Sequence, residues 1–153
     1  MLHALPPDAY LDLELKEETL SPEDADRIAL ILDSHRSRER LMISSFDPRL
    51  LFPFRRMEFT VGLLVGEEAA GRGLVGLASD LLRLRPHYVN LPVDMLRMFG
   101  VPRSVLICRI LHTFGFSLLF WTVNDPEDAA SVAPLARILV TDEVELIRKT
   151  TDS

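Results

Sequence analysis

Near the start of the chain the apolar residues fall at every second position. Leu11, Leu13 and Leu15 lie on one side, and Tyr10, Asp12, Glu14 and Lys16 lie on the other. A period of two marks a half-buried strand. Further short apolar runs predict strands at 40–46, 60–65, 88–93, 117–123 and 137–142. Between them the period lengthens to that of a helix. Ser21-Pro22-Glu23-Asp24 offers a capping hydroxyl, a proline for the first helical position and acids facing the helix dipole. Behind it, Ala25, Ile28, Ala29 and Leu32 form an apolar stripe at helical spacing. Asp47-Pro48 and Asp125-Pro126 repeat the cap-then-proline start. Pro102 opens another helix, which Gly115 is suited to close in the left-handed conformation. Segments 74–84 and 143–149 complete the helices, and the glycine-rich stretch 66–76 is expected to be a flexible loop entering one of them.

Strands that alternate with helices predict parallel pairing through helical crossovers, the rhythm of a (β/α) barrel. In such barrels the chemistry gathers at the carboxyl ends of the strands. The chain's 153 residues suffice for a single domain, 1–153, with its own core. A complete barrel needs roughly 200–250 residues or more. The expected fold is therefore α/β, either another α/β arrangement or an incomplete (β/α)8 TIM-type barrel with about six of the eight strands.

Charge and composition narrow the function. A net charge of −6, with no Lys/Arg cluster interleaved with aromatics, argues against nucleic acid and gives no general pull toward anionic lipid. Cys108 is the only cysteine, so no internal disulfide forms and a cytoplasmic setting is expected. It sits in the apolar pattern of a helix, as a buried small hydrophobe would. The first residues lack the cationic head and apolar run of a secretory signal. The most apolar later stretch, 105–123, is broken by Arg109, His112 and Gly115 and makes a poor transmembrane span.

Glu14 and Lys16 share one strand face, opposite an all-leucine face. Burying two ionised groups is costly unless they pair or meet a metal or an anionic ligand. A carboxylate suits Mg²⁺ or Ca²⁺, and an ammonium suits a phosphate oxygen. An edge strand with one solvated face is the competing reading. Trp121 fits either a core or a pocket wall where its indole N–H finds a partner. Ser44 and Ser45 suit strand-end hydrogen bonds or substrate contacts, while Asn124 and Asp142 suit helix caps.

Four motifs stand in order: Glu14-Leu-Lys16, Ser44-Ser45-Phe46, Trp121-Thr-Val-Asn124 and Thr141-Asp142. With 111–116 (LHTFGF), which looks like a helix end before the Trp strand, they resemble the later part of the glycerophosphodiester phosphodiesterase family. The resemblance implies metal-dependent hydrolysis of a small-molecule glycerophosphodiester to sn-glycerol 3-phosphate and an alcohol. Glu14 is similar to a metal-ligand carboxylate, and Lys16 to the lysine that helps neutralise the phosphoryl group. Phe46 and Trp121 would line the glycerol side of the pocket, and a divalent cation, Mg²⁺ or Ca²⁺, would be the cofactor.

The same resemblance exposes gaps. The family's His-Arg, Glu-x-Asp and His-Asp motifs have no counterpart here, and His3, His35, His87 and His112 do not stand in such motifs. Pro134-Leu-Ala-Arg137 and Glu143-Val144 also replace the family's residues around the last strand. Without two strands, the sheet is expected to have open edges that invite another chain, hence a homo-oligomer. The chain is accordingly expected to be a truncated copy, an incomplete reading frame or half of an oligomer, and inactive by itself. A non-catalytic remnant acting as an interaction module is the second reading. A Schiff-base enzyme using Lys16 is a distant third.

Overall fold

A computed structural model describes residues 10–16, 19–35 and 38–151, leaving the side chains of 35, 67–72 and 74 aside. His3 and the side chain of His35 therefore lie outside the described residues. The chain divides into two units, Met1–His87 and Tyr88–Ser153. Each is a run of parallel strands with helical crossovers, as the alternating pattern predicts.

In the first unit the order is β1 (Leu11–Glu14), α1 (Pro22–His35), β2 (Leu41–Ser45), α2 (Pro48–Arg56), β3 (Thr60–Leu64) and α3 (Glu67–Leu84). β1 pairs with β2, bringing Asp12 opposite Met42 and Glu14 opposite Ser44, and β2 pairs with β3, bringing Ser44 opposite Gly62. The start of α1 is a capping box. Asp24 N donates to Ser21 Oγ at 3.2 Å, and Ser21 N donates back to Asp24 Oδ2 at 3.1 Å. Ala25, Ala29 and Leu32 of the predicted stripe are buried, as are Leu50, Leu51 and Phe54 of α2. Phe54 and Phe59 meet edge to face with ring centroids 5.7 Å apart, and the Arg38 guanidinium lies 5.5 Å from the Phe59 ring centroid.

The expected glycine-rich loop is instead helical from Glu67. Glu67-Glu68-Ala69-Ala70 are strong helix formers, and they outweigh the glycines that follow. The conformational cost is concentrated at Gly73, whose φ of 68° and ψ of 173° interrupt α3 with a kink.

In the second unit the order is β4 (Tyr88–Pro92), α4 (Met95–Phe99), α5 (Val101–Thr113), β5 (Ser117–Trp121), α6 (Pro126–Val132), β6 (Ile138–Leu139) and α7 (Val144–Thr151). β4 pairs with β5, setting Asn90 opposite Leu119 and Pro92 opposite Trp121, and β5 pairs with β6. Gly115 takes φ 86° just past α5, the left-handed stop read from the sequence. Cys108 is a buried free thiol within α5, again as expected. The short helix α4 has no signal beyond a five-residue run, MLRMF, which periodicity cannot distinguish from a loop. β6 is shorter than the predicted 137–142, although Arg137 N and Val140 N still donate to Leu118 O and Phe120 O on β5. No helix among the described residues is long and apolar enough to cross a membrane.

Candidate functional site

In the first unit, Glu14 ends β1, Lys16 follows two residues later, and Phe46 stands just beyond β2. All three lie at carboxyl strand ends, where a parallel α/β sheet presents its chemistry. Glu14 and Lys16 are exposed, Phe46 is half-buried, and Leu15 between the two charged residues is buried. The alternation read from the sequence therefore holds along this strand.

The two motifs of this unit are tied together by hydrogen bonds. Leu15 N donates to Ser44 O at 2.7 Å, and Ser45 Oγ donates to Leu15 O at 2.7 Å. Asp47 N in turn donates to Ser45 Oγ at 3.2 Å. The buried Ser45 hydroxyl thus fixes the backbone between Glu14 and Lys16 against the entry to α2. Asp47 caps that helix by accepting from Arg49 N at 2.8 Å and also pairs with the Arg49 guanidinium.

Ser44 is 1% exposed and donates through its hydroxyl to Asp12 Oδ1 at 2.8 Å. Asp12 is a further carboxylate beside Glu14 that the family motifs do not include. Its place two residues before Glu14, on the same strand face, was the available signal. Asp12 is exposed as a residue, but partial desolvation of its carboxyl pushes the pKa above the ordinary carboxylate value; the Ser44 hydroxyl opposes this, and the Glu14 charge adds to it. A cation beside the two carboxylates would relieve that repulsion. The donor set is nevertheless incomplete: among the described residues, no group of three His, Cys, Asp or Glu is placed to hold a metal ion. A single carboxylate such as Glu14 could supply one oxygen ligand to a divalent cation, which takes about six or more.

In the second unit, Trp121 ends β5 half-buried, and its indole Nε1 donates to Asn90 O at 3.3 Å. The Asn90 side chain, 1% exposed in the middle of β4, has neither amide atom hydrogen-bonded among the described residues. An orphaned buried amide is uncommon enough to need a reason. A lone Asn inside the apolar run 88–93 was its only trace in the sequence.

The other two motifs also meet. Asn124 Oδ1 accepts from Asp142 N at 2.9 Å and from Thr141 Oγ1 at 3.1 Å, while Asn124 Nδ2 donates to Asp142 Oδ2 at 3.0 Å. The cap roles expected for Asn124 and Asp142 are therefore corrected. Asp125 caps α6, accepting from Glu127 N at 2.8 Å and Asp128 N at 3.2 Å. This frees Asn124 to join the end of β5 to the segment after β6. Of the histidines, His112 is exposed on α5, and His87 Nδ1 accepts from Val61 N at 3.1 Å in a structural role.

Solved structures place this arrangement in a wider setting. The chain is similar to a glycerophosphodiester phosphodiesterase from Thermotoga maritima, with 26% identity and a TM-score of 0.73, over 96% of this chain and 60% of that one. A second such enzyme, from Parabacteroides distasonis, is 22% identical with a TM-score of 0.68, over 94% of this chain and 57% of that one. A phosphodiesterase from Oleispira antarctica, solved with the product sn-glycerol 3-phosphate, is 22% identical with a TM-score of 0.72, over 94% and 56% of the two chains. The chain thus spans about three-fifths of the length of these structures. No protein-family profile matches the chain, and no curated protein matches it. The structural likeness supports the relationship to glycerophosphodiester phosphodiesterases expected from the motifs, and the fold is that of an incomplete TIM-type barrel.

Proposed function

We propose that the chain supplies the phosphate- and glycerol-binding part of a metal-dependent glycerophosphodiester phosphodiesterase centre. One observation carries this reading: the four motifs meet in pairs. The Glu14-Leu-Lys16 segment is bonded to Ser44-Ser45, and the segment ending at Asn124 is bonded to Thr141-Asp142. Lys16 offers its ammonium to the phosphoryl oxygens, and Glu14 serves as one ligand of a divalent cation, Mg²⁺ or Ca²⁺. The family resemblance assigns a glycerol contact to Phe46, in the first unit, and to Trp121, in the second. The cation, when bound, polarises the phosphodiester. The 153 residues contain no Glu-x-Asp pair, and their His-Arg pair, His35-Arg36, does not belong to a strand as the family's does, so acid–base catalysis needs groups that these residues do not contribute.

Titration with sn-glycerol 3-phosphate by calorimetry tests the proposal. Binding is expected, and Lys16→Met should weaken it about ten- to hundredfold, the range for a charge-assisted contact. Glycerophosphocholine should not be hydrolysed with either cation. No measurable binding, or affinity indifferent to Lys16, defeats the reading; turnover by this chain defeats the claim that further groups are required.

A second reading, a non-catalytic oligomerising module, draws on the side chains flanking the outer strands. Tyr10 beside β1 and Ile138 and Val140 at β6 are exposed, and within its unit each of these strands has one ladder partner. A discrete dimer in gel filtration, with no affinity for sn-glycerol 3-phosphate, would favour it.

A further inference from the structure

The helix α5 is apolar on two opposite faces. Ser104 and Cys108 point inward and are buried, as a packed helix requires. Leu106 and Ile110, one turn apart on the other side, are 59% and 48% exposed. At 100° per residue, Arg103 and Arg109 flank this pair on either side. The exposed apolar surface continues at both ends of the helix with Val101 and Phe114, and Met98 and Phe99 of α4 are exposed as well. An amphipathic surface helix normally carries polar residues on its outer face. Nor is the exposure an effect of a partial barrel, because in a (β/α) barrel the outer faces of the helices remain outside.

Charge identifies the kind of surface that fits. From Met95 to Asn124 the chain has no Asp or Glu, but it carries Arg97, Arg103 and Arg109, against −6 for the whole chain. Arg97 is engaged by Asp94 and Asp128, at 2.8 and 2.7 Å. Arg103 and Arg109 form no ion pair among the described residues. An apolar ridge with a guanidinium on each side suits a helix lying in the plane of a lipid interface: the apolar side chains enter the acyl boundary while the arginines reach anionic headgroups.

We propose that the outer face of α5, with the exposed end of α4, docks the protein on membranes containing anionic lipid. This proposal is independent of the catalytic reading above, since none of its residues belongs to the candidate site. The helix is short and carries two free cations, so binding is reversible and falls as salt rises.

Sedimentation of the full chain with vesicles tests it. Vesicles of phosphatidylcholine with phosphatidylserine should bind the protein, and vesicles of phosphatidylcholine alone should bind it far less. Replacing both arginines (R103Q with R109Q) should weaken binding to the anionic vesicles about thirtyfold, from the usual worth of a basic residue near such a surface. The pair L106S with I110S should remove binding while leaving the melting curve intact, since both side chains are exposed. Equal binding to both kinds of vesicle, no binding to either, or binding indifferent to both pairs of substitutions overturns the proposal. So does concentration-dependent self-association that L106S with I110S abolishes in a chain that ignores vesicles, which would assign the face to a protein partner.

Discussion

At the scale of single residues, three side chains sit where their chemistry is measurable. His87 accepts a hydrogen bond at Nδ1 from Val61 N, which requires the neutral ring. Burial, and then the nearby Arg55 charge, lower its pKa below the ordinary 6.5. The unfolded chain therefore binds the proton more readily, so the contribution to stability is present above the ordinary value and is lost as pH falls through the folded one. Melting temperature should drop on acidification from neutral pH to about 5, and a His87→Ala variant should lose part of that slope. An unchanged slope would show that His87 is not the titrating group. Cys108 is buried with its thiol pKa pushed up to about 11 by desolvation. Iodoacetamide at mildly alkaline pH should label it only after denaturation, as mass spectrometry would report. Asn90 poses the opposite case. If its unpaired amide is simply a burden, Asn90→Leu should leave the melting temperature level or raise it. A clear fall would mean that the amide has a partner in solution.

At the scale of elements, the caps carry much of what the sequence made legible. Ser21, Asp47 and Asp125 all stand where the cap-then-proline pattern places them, because that pattern is local and its hydrogen bonds reach only two or three residues. Asp125→Ala should cost about 1 kcal/mol in urea denaturation, with α6 the element that frays. A loss within error would mean that packing by Ala129 and Val132 alone holds the helix. Where sequence reading failed, the deciding contacts were not local. Asn124 read as a cap because a polar residue before a proline-led helix satisfies that pattern. Its real partners are Thr141 and Asp142, seventeen and eighteen residues away, and no spacing rule announces them. The glycine-rich segment failed for another reason. Its composition predicts a loop, but helical segments stand on both sides of a single non-helical residue, Gly73.

At the scale of the whole molecule, motif order and parallel pairing were readable, while the charges and amides that tune the site were not. Asp12 illustrates the difference. Alternation puts it on the face of Glu14, but only the pairing of β1 with β2 brings the Ser44 hydroxyl against it. Asp12 lies outside the packed core, whereas other residues build that core. Phe54 and Phe59 are both fully buried and in edge-to-face contact in the first unit. Phe54→Ala removes an aromatic ring where neighbours can close the gap only in part, at a cost of about 3–5 kcal/mol. Native domains hold about 5–15 kcal/mol in total, so this loss takes a large share of the margin. The expected result is a steep fall in the urea midpoint, with sn-glycerol 3-phosphate affinity falling only as the folded fraction falls. Lys16→Met should behave in the opposite way, keeping the midpoint and losing the affinity. A Phe54→Ala protein as stable as the parent would mean that the first unit does not pack around this pair.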